Sequence, residues 1–301
     1  MGKSKRVRMF YVGAAAVEKL TGQAGVYLCP ICGGPFDEHA AEEAELTEEH
    51  VPPRSLGGRA IALTCRGCNS RAGYTAEAAL KNREESRGFI ELMQGLRREY
   101  DRHVGIELGG IEVRAKVERD PVAKRLTFRV LGETNDPLLV GRAATHLRDL
   151  AASDDATGPE FRVHSRVRYD PRLAKVAELK AAFLAAFAVF GYRYALSPAL
   201  IKVRKQIWAP TDHILDAAWT VDLDTEREFL VLLSSDPECL AVKMRRSGVV
   251  LPWVTSPESF YDELPGIGGE GGRVRLTGTP VPWPTGLQLL LDGLEEGRRE
   301  R

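Results

Sequence analysis

Apolar residues recur along this chain with two periods, and the switches between them mark its elements. Strict alternation predicts strands at Ile111 to Val117, Arg125 to Leu131 and Phe161 to Tyr169. Runs punctuated by Gly and Pro predict more at Phe229 to Leu233, Cys239 to Met244, Val249 to Val254 and Val274 to Leu276. Helical spacing governs Ala72, Ala76, Ala79 and Leu80 within Asn69 to Asn82, and Phe89 to Leu96 within a charged connector over 84–110. Asp136-Pro137 announces a helix carrying Leu138, Val140, Ala143, Leu147 and Leu150, because Asp caps and Pro suits a first turn. The strongest helix follows Pro171, with Leu173, Val176, Leu179, Phe183, Phe187 and Phe190 on one apolar face, and stops at Gly191. Ser197-Pro198 opens another to about Trp208, and a last helix is predicted from Thr285 to Glu296. Residues 1–24 read as a solvated basic arm with one or two Ala-rich helical turns. The mixture is an α+β fold.

At 301 residues the chain exceeds what one core of ~100 to 200 residues usually fills, so two domains are expected. Gly109-Gly110 places the boundary: an arm over 1–25, a first domain with its helical connector over 26–108, and a larger α+β domain over 109–301. Lys plus Arg and Asp plus Glu are both 42, which excludes a global field of the kind that drives non-specific nucleic-acid binding. Any polyanion site is therefore local. Asp37 to Glu49 holds seven acids and no base, and reads as a solvated, partly helical insertion. From Val51 to Arg83 the balance reverses, with six Lys or Arg residues against Glu77 alone. The apolar run after the basic N-terminal residues is too short and broken for a signal peptide or membrane span, and the cysteines suit metal ligation better than a disulfide framework, so a protein of the reducing cytoplasm without a membrane partner is expected.

Four of the five cysteines form two CxxC knuckles, Cys29 with Cys32 and Cys65 with Cys68, in a C-x2-C-x32-C-x2-C pattern. A CxxC turn aims two thiolates at one point, so two knuckles complete a tetrahedral zinc site with Zn–S of about 2.3 Å. With every position taken by protein, that zinc is structural. A redox-active CxxC needs a helix directly after it, which Gly33-Gly34-Pro35 forbids.

Between the knuckles lies Thr47-Glu48-Glu49-His50-Val51-Pro52-Pro53-Arg54, and the second knuckle runs into Asn69. Cleaving a phosphodiester needs an activated water and charge neutralisation on the phosphate and the departing oxygen. A histidine can deprotonate the water at neutral pH, and a carboxylate with an amide oxygen can hold a divalent ion. Glu49, His50 and Asn69 supply that set. Neighbouring strand residues point to opposite faces, so Glu49 and His50 act together only where the strand is irregular, as Pro52-Pro53 makes plausible.

Together with Leu63-Thr64-Cys65-Arg66-Gly67-Cys68-Asn69-Ser70-Arg71-Ala72-Gly73, this stretch resembles the HNH endonucleases, in an E-H-x-x-P variant. The resemblance covers about residues 26 to 85. It implies a zinc-stapled, treble-clef-like ββα-metal core acting on DNA. It also implies His50 as general base, Glu49 and Asn69 as ligands of one catalytic Mg²⁺ or Mn²⁺, and Arg54 or Arg71 as phosphate clamps. Nuclease chains with an appended module often serve restriction or anti-phage defence, an expectation by analogy alone. The family's middle Asn has no counterpart over Arg59 to Ile61.

The competing reading is a zinc-stapled module that binds nucleic acid or protein without catalysis. His39 reads as an exposed residue of the acidic loop, and Cys239 as a buried thiol. Arg162, His164, Arg166 and Arg168 on one strand face, with Lys202, Arg204 and Lys205 on a helix, are candidates for a polyanion face or simply a solvated one. Trp208, Trp219, Trp253 and Trp283 read as core or rim aromatics, and the C-terminal domain as the seat of a protein partner or signal ligand.

Overall fold

A computed structural model describes residues 4–100, 102–120, 122–152, 161–165, 167–215, 220–221, 229–233, 238–244, 247–263 and 278–292. The basic N-terminal stretch is no solvated arm. It folds as helix α1 (Lys5–Thr21), capped by Ser4 and burying Val7, Phe10, Ala14 and Val17, whose spacing draws one stripe down the helix. Strands β1 (Tyr27–Leu28) and β2 (Pro35–Phe36) form the first knuckle. The acidic insertion contains helix α2 (Glu38–Glu42), whose Ala41 and Glu42 carbonyls accept from Arg6, while Arg66 donates to the carbonyls of Glu43 and Ala44 just after it.

The central hairpin pairs β3 (Leu46–Val51) with β4 (Arg59–Cys65), and helix α3 (Arg66–Ala72) begins as β4 ends. Gly58 closes the hairpin loop against the Pro52 carbonyl, where any Cβ would collide. A π-helical turn, Gly73–Glu77, carries α3 directly into helix α4 (Ala78–Met93). The charged connector is therefore shorter than its composition implied. It ends near Gly95, whose φ of 80° lies in the left-handed region, and strand β5 (Val104–Leu108) follows. With β6 (Ile111–Arg119), β7 (Leu126–Val130) and β8 (Phe161–His164) it makes a four-stranded antiparallel sheet in the order β7-β6-β5-β8, alongside helix α5 (Pro137–Ala152). The strand predicted to reach Tyr169 stops at His164, and Arg166 lies outside the described residues.

Helix α6 (Pro171–Phe190) starts on Asp170 and ends at Gly191 as predicted, but it does not have one apolar face. From Val176 to Phe190 every residue is buried, Glu178 and Lys180 included. A helix apolar all round is a core helix, and the stretch 181–190 contains no polar side chain. α6 packs on β3 and β4, on the Gly73–Glu77 turn and on helix α8 (Ile201–Trp208), which follows the short α7 (Tyr192–Ala195). It also meets two strands of a five-stranded antiparallel sheet. That sheet orders β9 (Thr220–Val221), β10 (Phe229–Leu233), β11 (Cys239–Met244), β12 (Ser247–Pro252) and β13 (Gly278–Pro282) as β13-β10-β11-β12-β9, with the short α9 (Phe260–Glu263) between β12 and β13. The strand expected at Val274 to Leu276, and Trp219, lie outside the described residues.

The helix predicted from Thr285 does not form over 285–292. The N–H groups of Gln288, Leu290 and Leu291 instead go to the carbonyls of Ala188, Val189 and Phe190, at 2.6, 2.8 and 3.1 Å. The Asp292 carboxylate accepts the N–H groups of Tyr192 and Arg193, at 2.8 and 3.0 Å. The end of α6, which would otherwise leave buried carbonyls without partners, is finished by this segment.

Two compact units result: Met1–Leu80 with Asp170–Arg301, and Lys81–Tyr169. The division does not fall at Gly109-Gly110. Residues 81–169 are an insertion with their own core of Leu92, Ile106, Val113, Ala115 and Val117, whereas the chain from 170 onward returns to build one core with the hairpin. Among the described residues no helix is long and apolar enough to cross a membrane.

Candidate functional site

The two knuckles meet. Cys29 closes its turn by accepting from Gly33 N–H and donating its own N–H to Gly34. Cys65 ends β4 and caps α3, its Sγ accepting from Cys68 N–H, while Cys65 N–H points at Cys29 Sγ. All four Sγ atoms lie within 4.8 Å of one another, and Cys32 and Cys65 are 3.9 Å apart. A tetrahedral zinc with Zn–S near 2.3 Å requires S···S of about 3.8 Å, so the four cysteines are positioned for zinc. The hydrogen bond between Cys29 and Cys32 pushes the Cys29 thiol up and draws Cys32 down to about 6, and Cys29 likewise draws Cys65 to about 2. Thiolate is the form a metal requires.

Four thiolates around one Zn²⁺ would carry a net double negative charge. Arg204 of α8 lies within the electrostatic reach of two of these cysteines. Burial pulls its guanidinium below the ordinary value, Cys32 and Cys29 pull the other way, and its Nε is buried without a hydrogen-bond partner among the described residues. The expected basic face of α8 is thus divided: Arg204 belongs to the cysteines, Lys202 reaches Asp262 at 3.4 Å, and Lys205 is exposed. His164 of the other basic run bonds Glu112 at 3.0 Å.

On the hairpin, Thr47 pairs with Thr64 and Glu49 with Ala62, which sets Thr47, Glu49 and Thr64 on one face. Asn69 Nδ2 donates to Thr47 Oγ1 at 2.8 Å, Thr47 Oγ1 to the Thr64 carbonyl at 3.2 Å, and Thr64 Oγ1 to Glu49 Oε1 at 2.6 Å. The chain of bonds continues into α6: Lys180 Nζ lies 2.8 Å from Glu49 Oε1 and 2.6 Å from Glu77 Oε1. Burial pushes the Glu49 carboxyl up from the ordinary carboxylate range, against the pull of the Lys180 ammonium. Desolvation also works against Lys180, but Glu49 and Glu77 outweigh it and hold the amine above the usual lysine value.

Glu49 and Asn69 are therefore brought to one face, linked through Thr47 and Thr64. Glu49 is almost fully enclosed, 3% exposed. The His50 side chain is half-buried and makes no hydrogen bond among the described residues, and the register slips here: Glu49 faces Ala62, His50 faces Ala60, and Ile61 has no partner. The irregularity expected in the strand of Glu49 and His50 falls instead on its partner β4, where Ile61 is the extra residue. Arg54 is exposed on the loop after the hairpin's first strand, and Arg71 stacks its guanidinium 4.3 Å from the ring centroid of Trp208, itself 44% exposed. Sequence reasoning assigned no role to Thr47, Thr64, Glu77 or Lys180, and offered Arg204 only as part of a polyanion face. The polar-free stretch after Lys180 was the available signal that this lysine would be buried.

A carboxylate and an amide oxygen are the hard donors that Mg²⁺ or Mn²⁺ prefers, so the chemistry of Glu49 and Asn69 fits such an ion. The ammonium on Glu49 is a competitor for the same charge.

Compared with known proteins, residues 29–84 match the family model described as HNH endonuclease. No curated protein and no solved structure matches the chain.

Proposed function

We propose that this protein is an endonuclease that hydrolyses phosphodiester bonds in DNA, using the zinc-framed hairpin over 29–84. The observation that carries the reading is the bonded path Asn69–Thr47–Thr64–Glu49, which holds an amide and a carboxylate on one hairpin face beside His50. His50 takes the proton of the attacking water; its imidazole, with no hydrogen bond among the described residues, is open to that role. Glu49 and Asn69 would hold a divalent ion, which when bound neutralises charge on the phosphate and the departing oxygen. Thr64 orients the carboxylate, as an outer partner of a ligand does. Arg54 and Arg71 contact flanking phosphates, Arg71 from a guanidinium already set against Trp208.

The test is plasmid cleavage with Mg²⁺ or Mn²⁺ by the wild type and His50→Ala. Loss of a general base lowers the rate by about 10²- to 10⁴-fold. Cleavage unchanged by the substitution removes His50 as base. One observation favours a second reading: the internal Lys180–Glu49 pair already neutralises the carboxylate, as a non-catalytic DNA-binding module would allow. Binding in a gel-shift assay with no cleavage under any divalent ion selects it.

A further inference from the structure

Lys180 is the one buried lysine of the described residues that touches the proposed site, and the hydrolysis above gives it no task. It stands at the middle of α6, 2% exposed, between two carboxylates. They are not equivalent. The Glu49 side chain is 4% exposed and also accepts from Thr64, whereas the Glu77 side chain is 22% exposed and makes the shorter contact, 2.6 against 2.8 Å.

An ammonium and a divalent cation on one enclosed carboxylate repel each other. At ~4 Å in the low effective dielectric of an enclosed site, that repulsion decides which cation the carboxylate keeps. Two carboxylates around one lysine supply a way out, because Lys180 has a second seat that does not depend on Glu49. The four-carbon stem lets the charged head move while its Cα stays fixed in a packed helix. Glu77 ends the π-helical turn that follows Asn69, and a π turn widens the helix locally, as is common at functional sites.

We infer that the Lys180 ammonium and a divalent cation are alternative counter-ions of Glu49, with Glu77 the seat that keeps Lys180 when the cation is bound. Lys180 is then a positioning residue: it holds the carboxylate in place while no ion is bound and sets how tightly one binds. The inference rests on Glu49 as an ion ligand.

The experiment is calorimetric titration of Mn²⁺ into the full-length, zinc-loaded protein without nucleic acid. Lys180→Met removes the competitor and binds Mn²⁺ about tenfold tighter or more. Adding Glu49→Gln to that variant abolishes the gain. Glu77→Gln confines Lys180 to Glu49 and weakens Mn²⁺ binding by about threefold or more; being less deeply buried than Lys180, this site keeps the test decisive should Lys180→Met fail to fold. Equal or weaker binding by Lys180→Met, or equal or tighter binding by Glu77→Gln, overturns the competition. No Mn²⁺ binding by any variant overturns it together with the ligand role of Glu49. Plasmid cleavage without these shifts leaves the nuclease reading standing, and the shifts without cleavage do the reverse.

Discussion

Two clusters of acidic side chains lie in the same unit and meet the same electrostatic problem differently. The four cysteines come from residues 29–68 and are positioned for a metal, which as thiolates they would take from solution as countercharge. Glu49 and Glu77 take theirs from Lys180, which lies 103 residues beyond Glu77 in the chain. Burying an ion without a partner is prohibitive, so each cluster persists only with its cation. The cysteine cluster therefore depends on what the solvent supplies, and the carboxylate cluster on the chain returning to its own start.

That contrast can be broken by experiment. Zinc removal by chelation, or Cys65→Ser, has the largest expected effect: structural zinc is worth on the order of 10 kcal/mol, so the segment from β1 to α3 loses its amide protection in hydrogen exchange. Hairpin amides that stay protected would show that the metal does not hold the frame. Lys180→Met comes next, at about 3–5 kcal/mol in thermal or urea unfolding without divalent ion, because it strands Glu49 in the core. Adding Glu49→Gln returns part of that loss; a double variant no more stable than the single one contradicts the pairing. Arg204→Met is the smallest change. It leaves the circular dichroism spectrum intact and accelerates zinc loss to a chelator by about tenfold, the usual scale for removing an outer partner of a metal ligand. An unchanged rate separates Arg204 from the cysteines.

The cysteine cluster was legible because its information is local: spacing within two knuckles fixes where four thiols point. The strands around Phe229, Cys239 and Ile111, and the two ends of α6, were legible for the same reason, since alternation, an Asp cap and a terminal Gly act over a few residues. Lys180 was not. Read at helical period it falls on a polar stripe, and only the apolar ring of 181–190 reveals that α6 has no outside. The insertion of 81–169 hid the return of the chain, because a boundary signal such as Gly109-Gly110 marks a turn whether or not it separates domains. The arginines of α1 concealed the stripe of Val7, Phe10, Ala14 and Val17 by suggesting solvent.

The segment at 288–292 that finishes α6 bears on how the protein is made. A ribosome that has released residues 29–84 has released the whole stretch that matches the HNH endonuclease model, yet neither the lysine that neutralises its carboxylate nor the segment that seals that lysine's helix has been synthesised. The stretch that matches the family model is thus made long before it is completed. A translation product cut short before residue 288 would carry that stretch and leave the helix behind Glu49 open at its end.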